Sequence, residues 1–319
     1  MKYNKDLLIK DLTNLGVEKG DLLNVKCSLK SIGEIEGGAN TLIDALLEVV
    51  GNEGTIVTDS FVAIKQLSFL GVPAKLEFSD ENSPSYAGGL ANAMLSRRDV
   101  KRSSHPIQKF AAIGKYAETL TKNHTPTVYA YDVLRIMALS GGKNLKIGAP
   151  EKVVGVGTTH VAIGLMGFKE KHDVRGLMYK DSHGNIIIFE RNWAGLCDKN
   201  LIKFYPFYRE AGAILHEGMV GKAQAMISDM YKTLCTELEI LKKNPSFFLC
   251  DRNTCMECRI GWPGLSNQTP GKFIMANLRK RQYKNSVRAI KYMLSKKNIY
   301  PQEGIILGNY EGIPIKYSL

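Results

Sequence analysis

LLNVKCSLKSIGEIEGGANTLIDALLEVVGNEGTIVTDSF, from Leu22 to Phe61, is the stretch whose reading decides the fold. LLNVKCSL reads as a strand and KSIGEIEGGA as a loop. TLIDALLEVVG reads as a helix that puts Leu42, Leu46, Val49 and Val50 on one face, with Thr41 near its start and Gly51 as its stop. TIVTDSF is the next strand. Strand, loop, helix and strand in that order make a parallel crossover unit, which tends to place ligands at the carboxyl ends of its strands.

Working outward, KDLLIKDLTNLG reads as a helix closed by Gly16, LANAML as a short helix, and FAAIG and LKIGA as short apolar strands. KVVGVGTTH reads as a strand running into a glycine-rich loop. GNIIIFERNW is a strand after a Ser-His-Gly-Asn turn, and GKAQAMISDMYKTLCTELEILKK a long helix. The interleaving predicts an α/β protein: a central, mostly parallel sheet flanked by helices, with a basic helical C-terminal extension. Composition shifts after Leu249, where CDRNTCMECRIGWPGLSNQTPG is turn-rich and FIMANLRKRQYKNSVRAIKYMLSKK is basic and amphipathic. The expected division is therefore a main domain over 1–249 and a cysteine-containing linker with basic extension over 250–319.

A 319-residue chain that is 44% hydrophobic can bury a sizeable core. MKYNKDLLIKDL alternates charged and apolar residues, and no run of 18 apolar residues follows, so a cytoplasmic protein with no membrane partner is expected. Six cysteines are too sparse for a secreted disulfide scaffold. The formal charge of +12 invites a nucleic-acid reading, but Pro270 to Leu319 holds ten Lys/Arg against two Asp/Glu, so most of the excess sits in the tail.

Four segments in fixed order carry more information than any one alone: the stretch from Val25 to Phe61, SPSYAGGLANAML, KRSSHPIQKFAAIG and GVGTTH. Together they resemble the aminoglycoside 3-N-acetyltransferase family from about Leu7 to about Leu249. The resemblance implies a coenzyme A-dependent N-acyltransferase whose co-substrate is an acyl-CoA, either acetyl-CoA or a hydroxyacyl-CoA. It also implies that the histidine after the glycine-rich strand, here His160, is the general base. An imidazole with an ordinary pKa near 6.5 suits removal of a proton from an attacking amine at neutral pH. The family commonly carries a glutamate three residues later, and this chain has Ile163 there. The group that orients His160 would have to come from elsewhere, with Asp173, Glu190 or a backbone carbonyl as candidates.

RSSHPIQKF matches the family's Arg-Ser-x-His-Pro signature. The resemblance implies that His105 lines the cleft, with Arg102, Ser103 and Ser104 offering donors to phosphate or carbonyl oxygens; a loop-stabilising histidine fits the residues equally well. VKCSL matches a His-Ser-Ser-Leu segment that contacts CoA in the family. Lys26 and Cys27 replace the first two residues, while Ser28, Leu29, Gly37 and Gly38 are retained. Lys26 suits a site beside phosphate, and the Gly37-Gly38 amides at a helix start suit an anion, though an ordinary loop also accounts for the glycine pair. Cys27 admits a covalent route as a minor alternative. Cys250, Cys255 and Cys258 form C-x4-C-x2-C, which could ligate zinc with Cys197, Cys235 or a histidine as fourth ligand. A single knuckle reads first as reduced thiols in a turn-rich linker, and no metal ligand is assigned.

Aminoglycosides are polycations that favour an acidic cleft. The tail here, with Arg279, Lys280, Arg281, Lys284, Arg288 and Lys291 interleaved with Tyr283 and Tyr292, suits a diphosphate and a base better. The sequence therefore favours a small-molecule amino sugar on a nucleoside diphosphate as acceptor, positioned by the tail and the region from Trp193 to Arg209. An aminoglycoside is the alternative acceptor. A non-enzymatic RNA- or membrane-surface-binding protein is the remote one, since no RNA-recognition motif is present.

Overall fold

The computed structural model describes residues 2–319 except 67, 70–71, 74, 149–156, 169, 174, 192–195, 263, 267–268, 295–296 and 301–304. Its centre is a seven-stranded sheet of β1 (Leu22–Cys27), β2 (Thr55–Asp59), β3 (Lys101–Arg102), β4 (Phe110–Gly114), β5 (Lys143–Ile147), β6 (Ile214–Val220) and β7 (Ala223–Asp229), in the spatial order β6-β7-β5-β1-β2-β4-β3. The expected α/β class is present. Parallel pairing occupies the middle, where β1 runs alongside both β2 and β5, and antiparallel strands extend the sheet on either side. A smaller sheet pairs the hairpin Arg175–Lys180 and Ile186–Glu190 with Lys65–Gln66.

Each face of the central sheet buries its own core. On one side Leu8 and Leu12 of α1 (Lys5–Asn14), Leu42, Ile43 and Leu46 of α2 (Ala39–Val50), and Leu90 and Met94 of α3 (Gly89–Leu95) close on Leu23, Val25, Ile56 and Leu145. On the other, α4 (Asp132–Leu139), α5 (Thr158–Leu165) and α6 (Met230–Lys243) pack with Phe204, Tyr208 and Trp262. The chain end belongs to this second core. Tyr310 and Ile313 are buried in it, and the amides of Lys316 and Tyr317 both donate to the Leu139 carbonyl.

Three readings change. AQAMISD is strand β7 and not the start of the long helix, because pairing with β5 and β6 at an almost wholly buried position outweighs its helix-forming alanines. The helix begins only at Met230, where the Asp229 side chain accepts from the Lys232 amide as an N-cap. The basic stretch after Thr269 is two helices, Pro270–Arg279 and Tyr283–Leu294, divided at Arg281, whose φ of 53° is left-handed. GVGTTH straddles a boundary: 151–156 lie outside the described residues, while Thr158, Thr159 and His160 already form the first turn of α5.

Side chains alternate across a strand, so the residues between Leu23, Val25 and Cys27 must face the second core. They are Asn24 and Lys26. β5 repeats the pattern with Asn144 and Lys146, and the register pairs Asn24 with Asn144 and Lys26 with Lys146. A polar stripe therefore crosses the middle of the buried sheet. Asn24 Nδ2 donates to Asn144 Oδ1 at 2.8 Å. Breaking that pair leaves a buried amide unmatched, so Asn24→Leu should cost about 1–3 kcal/mol in urea unfolding, and Asn24→Leu with Asn144→Leu less than the two single changes combined. Strict additivity would show that the pair is not coupled.

Candidate active site

α5 starts where the polar stripe needs a cover. Gly157 caps it with φ 87°, and a Cβ there would sit 2.9 Å from Leu134 Cδ1, so the tight entry into the helix calls for glycine. One face of the first turn points inward. Thr158 Oγ1 donates to Thr233 Oγ1 at 3.2 Å and Thr159 Oγ1 to Glu237 Oε1 at 2.5 Å. Tyr208 also donates to Glu237 Oε1 at 2.5 Å, and Lys146 Nζ donates to the Tyr205 hydroxyl at 3.0 Å. Glu237 is fully buried, and desolvation pushes its carboxyl up to about 7 against the hydrogen bonds from Thr159 and Tyr208. Burial, with Lys26 beside it, holds Lys146 well below the usual lysine range.

The other face of that turn carries His160 into a cleft at the carboxyl ends of β1 and β2. Two adjoining cavities, of about 460 and 570 Å³, share Phe61, Tyr86, Gln108, Tyr131 and His160. The first continues over Lys26, Cys27, Ser28, Asp59 and Leu90, the second over Lys65, Glu77, Arg191 and Leu196. His160 stands at their junction. Tyr131 stacks on its ring at 4.1 Å and 7°, and the Tyr129 hydroxyl donates to the His160 carbonyl at 2.7 Å. That second bond depends on Gly164, because a Cβ there would lie 2.4 Å from the Tyr129 hydroxyl.

Burial, then the charges of Lys26 and Arg191, push the His160 imidazole down to about 3, so it is neutral at pH 7 and a weaker base than a free imidazole. Its Nδ1 is buried with no partner among the described residues. Ile163 lies in the core and supplies no substitute acid. Glu190 does not line either cavity, and the side chain of Asp173 lies outside the described residues. The buried carboxyl of Glu237 is linked to this turn through the hydroxyl of Thr159, the neighbour of His160.

Lys26 reaches the cleft but is paired with Asp59 at 2.9 Å, both side chains being largely buried. Gln108 Nε2 approaches the same carboxylate at 3.4 Å. Ser28 lines the first cavity, and Leu29 packs beneath α3, where a Cβ on Gly89 would meet it at 2.8 Å. Desolvation raises the Cys27 thiol to about 12, which removes it as a ready thiolate nucleophile.

His105, Arg102, Ser103 and Ser104 lie behind the cleft; none of them lines either cavity. His105 is buried, its Nδ1 accepting from the amides of Ile107 and Gln108, and it stacks on His124 at 4.9 Å. Ser103 Oγ accepts from the Phe110 amide and contacts His124 Nδ1 at 3.1 Å. Arg102 donates to the carbonyls of Ser60, Glu81 and Ser83, and Ser104 is exposed. These groups fix the loop that presents Gln108. Gly37 and Gly38, with φ of 73° and 69°, lead into α2 and do not line the cavities. The described residues of the basic tail are absent from the cleft as well, and Trp193 lies outside the described residues.

Asp59, Gln108, Tyr131, Lys146 and Glu237 escaped the sequence reading. A signal existed for the lysines, since NVKC and KNLKI each place Asn-x-Lys in an apolar strand. Tyr131 and Glu237 carried none, because a tyrosine in YAYDVL and a glutamate in a long helix are ordinary.

An open cleft at the ends of parallel strands, with a neutral histidine between two cavities, defines an α/β protein with a carboxyl-end ligand site. The chain belongs to the aminoglycoside 3-N-acetyltransferase family, whose model matches residues 25–241. It is similar to aminoglycoside N(3)-acetyltransferase III from a Salmonella species, 35% identical over an alignment of 162 residues, with 46% of this chain and 56% of that protein covered. It is also similar to the SPβ prophage-derived aminoglycoside N(3')-acetyltransferase-like protein YokD of Bacillus subtilis, 36% identical over 38% of this chain and 50% of that one. The chain thus spans about half the length of the curated relatives it matches. Among solved structures, the aminoglycoside acetyltransferase AAC(3)-IVa apoenzyme superposes with a TM-score of 0.66 at 25% identity, over 81% of this chain and 96% of that one. AAC-IIIb, solved as a binary complex with CoASH, shares the fold with a TM-score of 0.65 at 23% identity, over 76% and 97%.

The Glu237 shift has a defined pH signature. A carboxyl whose pKa is raised on folding stabilises most below its unfolded value near 4.5, and that contribution is lost as pH rises through about 7. Relative to Glu237→Gln, the wild-type chain should therefore lose stability between pH 5 and pH 8, by an amount on the order of 3 kcal/mol. Urea unfolding of both proteins at the two pH values measures it. A constant difference would mean that Glu237 does not titrate in this window.

Proposed function

We propose that the protein is an acyl-CoA-dependent N-acyltransferase in which His160 takes the proton from an amine attacking the thioester carbonyl. The observation that carries this reading is the placement of a neutral imidazole where the two cavities meet. The cavity over Lys26, Cys27 and Ser28 takes the acyl-CoA arm, and the one over Lys65, Glu77 and Arg191 takes the acceptor. As the amine nitrogen bonds to the carbonyl carbon its proton passes to His160, and collapse of the tetrahedral intermediate expels the CoA thiolate, which is protonated in turn. Tyr131 holds the imidazole plane by stacking. Lys26, tied to Asp59, adds positive charge near the thioester. Acyl-CoA use points to a cytoplasmic reaction.

For the acceptor, the family membership and the naming of the relatives support an aminoglycoside-type amine over a nucleotide-linked amino sugar. The basic tail that argued for a nucleotide does not line the cleft among the described residues. One observation limits the aminoglycoside reading. Among the described residues, both carboxylates that line the cleft, Asp59 and Glu77, are already paired with lysines, the second with Lys65 at 2.6 Å. A polycation must compete with these lysines, so an acceptor with fewer amino groups is the second reading.

Thiol release from acetyl-CoA and 3-hydroxybutyryl-CoA, offered with aminoglycosides, simple amino sugars and nucleotide-linked amino sugars, tests the assignment. Turnover is expected with an aminoglycoside or simple amino sugar. His160→Ala should lower kcat by about 10²–10⁴ with the melting temperature held within a few degrees. Turnover confined to nucleotide sugars would overturn the acceptor assignment, and undiminished turnover in His160→Ala would overturn the role of the base.

A further inference from the structure

The four cysteines outside the cleft and α6 do not scatter over the surface. Cys197, Cys250, Cys255 and Cys258 bring their Sγ atoms within 4.8 Å of one another. They come from two parts of the chain. Cys197 precedes the turn Asp198–Phe204, Cys250 ends the segment in which Phe248 packs edge-on against Trp262, and Cys255 caps the short helix Met256–Ile260 that carries Cys258. Cys250 and Cys258 are buried, and Cys197 and Cys255 are half-buried.

We propose that these four cysteines form a tetrahedral zinc site that holds the C-terminal segment to the wall of the cleft. The ligand set is complete, because structural zinc takes four protein ligands and tetrathiolate is one of its standard sets. The dimensions fit one ion. Zn–S bonds of about 2.3 Å put tetrahedral sulfurs roughly 3.8 Å apart, and small side-chain rotations bring thiols within 4.8 Å to that spacing. A four-iron cluster holds its thiolates around a larger cage than this group encloses. Cys255-Met256-Glu257-Cys258 has the spacing of a zinc knuckle.

The surroundings of the four thiols are mixed in charge, with Glu257 accepting from the Cys255 thiol at 3.4 Å. Zinc with four thiolates carries a net charge of −2, and Arg252 and Arg259 sit in the same turns, with Arg259 Nε on the Arg252 carbonyl at 3.0 Å. Lys203 reaches the carbonyl of Leu249 at 3.3 Å and the carboxylate of Asp251 at 3.1 Å, on either side of Cys250. The consequence for the cleft is direct. Leu196, adjacent to Cys197, lines the acceptor cavity, so the ion fixes one cavity wall against the helices Met256–Ile260 and Pro270–Arg279 that follow the family segment.

The test uses the full chain, purified in reductant without a metal-affinity tag, and does not depend on the acyl-transfer reading. Elemental analysis is expected to give one zinc per chain in the wild type and in a Cys27→Ser, Cys235→Ser control. Cys197→Ser with Cys258→Ser should cut it at least fivefold. Cobalt exchanged into the protein should show the intense visible absorption of a tetrahedral tetrathiolate. Should the double variant fail to fold, the wild type decides alone: p-mercuribenzoate should release zinc in step with modification of four thiols. Protein free of metal, bound iron in place of zinc, disulfides among the four cysteines, or zinc retained after all four thiols are modified would each overturn the site.

Discussion

Everything around the cleft depends on a polar stripe buried in a hydrophobic sheet. Asn24, Lys26, Asn144 and Lys146 occupy one face of two adjacent parallel strands, where a parallel centre covered on both sides normally carries aliphatic residues. A buried ammonium is expensive unless countered, and two side by side more so. The countercharges come from different directions. Asp59 meets Lys26 at the open end, and Glu237, brought in by α6, offsets Lys146 at the closed end. Between them the first turn of α5 supplies Thr158 and Thr159 as connectors inward and presents His160 outward. The catalytic candidate is thus the solvent-side edge of a polar network that the core is built to tolerate.

This arrangement separates the chain from the family pattern it otherwise follows. Where the pattern sets an acid one helical turn beyond the histidine, the chain has Ile163 packed in the core, and the acid in the neighbourhood reaches only the adjacent Thr159. The substitutions at 26 and 163 belong together physically. A lysine near the imidazole lowers its basicity, and an acid beside it would raise it. The two changes act in the same direction, toward a histidine that stays neutral.

The order of strands and helices was legible because period-two and period-3.6 patterns and glycine stops report local geometry. It failed where burial overrode propensity, as in AQAMISD, and where the glycine-rich segment passed into α5 earlier than its apolar run suggested. His160, Lys26 and Ser28 could be located because they sit within motifs, Lys26 and Ser28 at the end of β1 and His160 in the first turn of α5. Their neighbours could not, since Tyr131 reaches the imidazole from a different helix and Glu237 from the last element of the family segment, and pairings across such separations leave no trace in a single sequence. The convergence of Cys197 on Cys250, Cys255 and Cys258 was invisible for the same reason, although the three later cysteines announced themselves.

The position of Glu237 on α6 also separates the two halves of the network along the chain. Strands β1 and β5, with both lysines, leave the ribosome well before α6 does, and until α6 docks Lys146 has neither the carboxylate nor the cover of that helix. Burial alone pushes Lys146 toward its neutral amine, and the Glu237 carboxyl acts against that shift, so the charge on this lysine depends on the docking of α6. One helix thus supplies both part of the second core and the carboxyl facing Lys146, and a chain cut short before α6 lacks both.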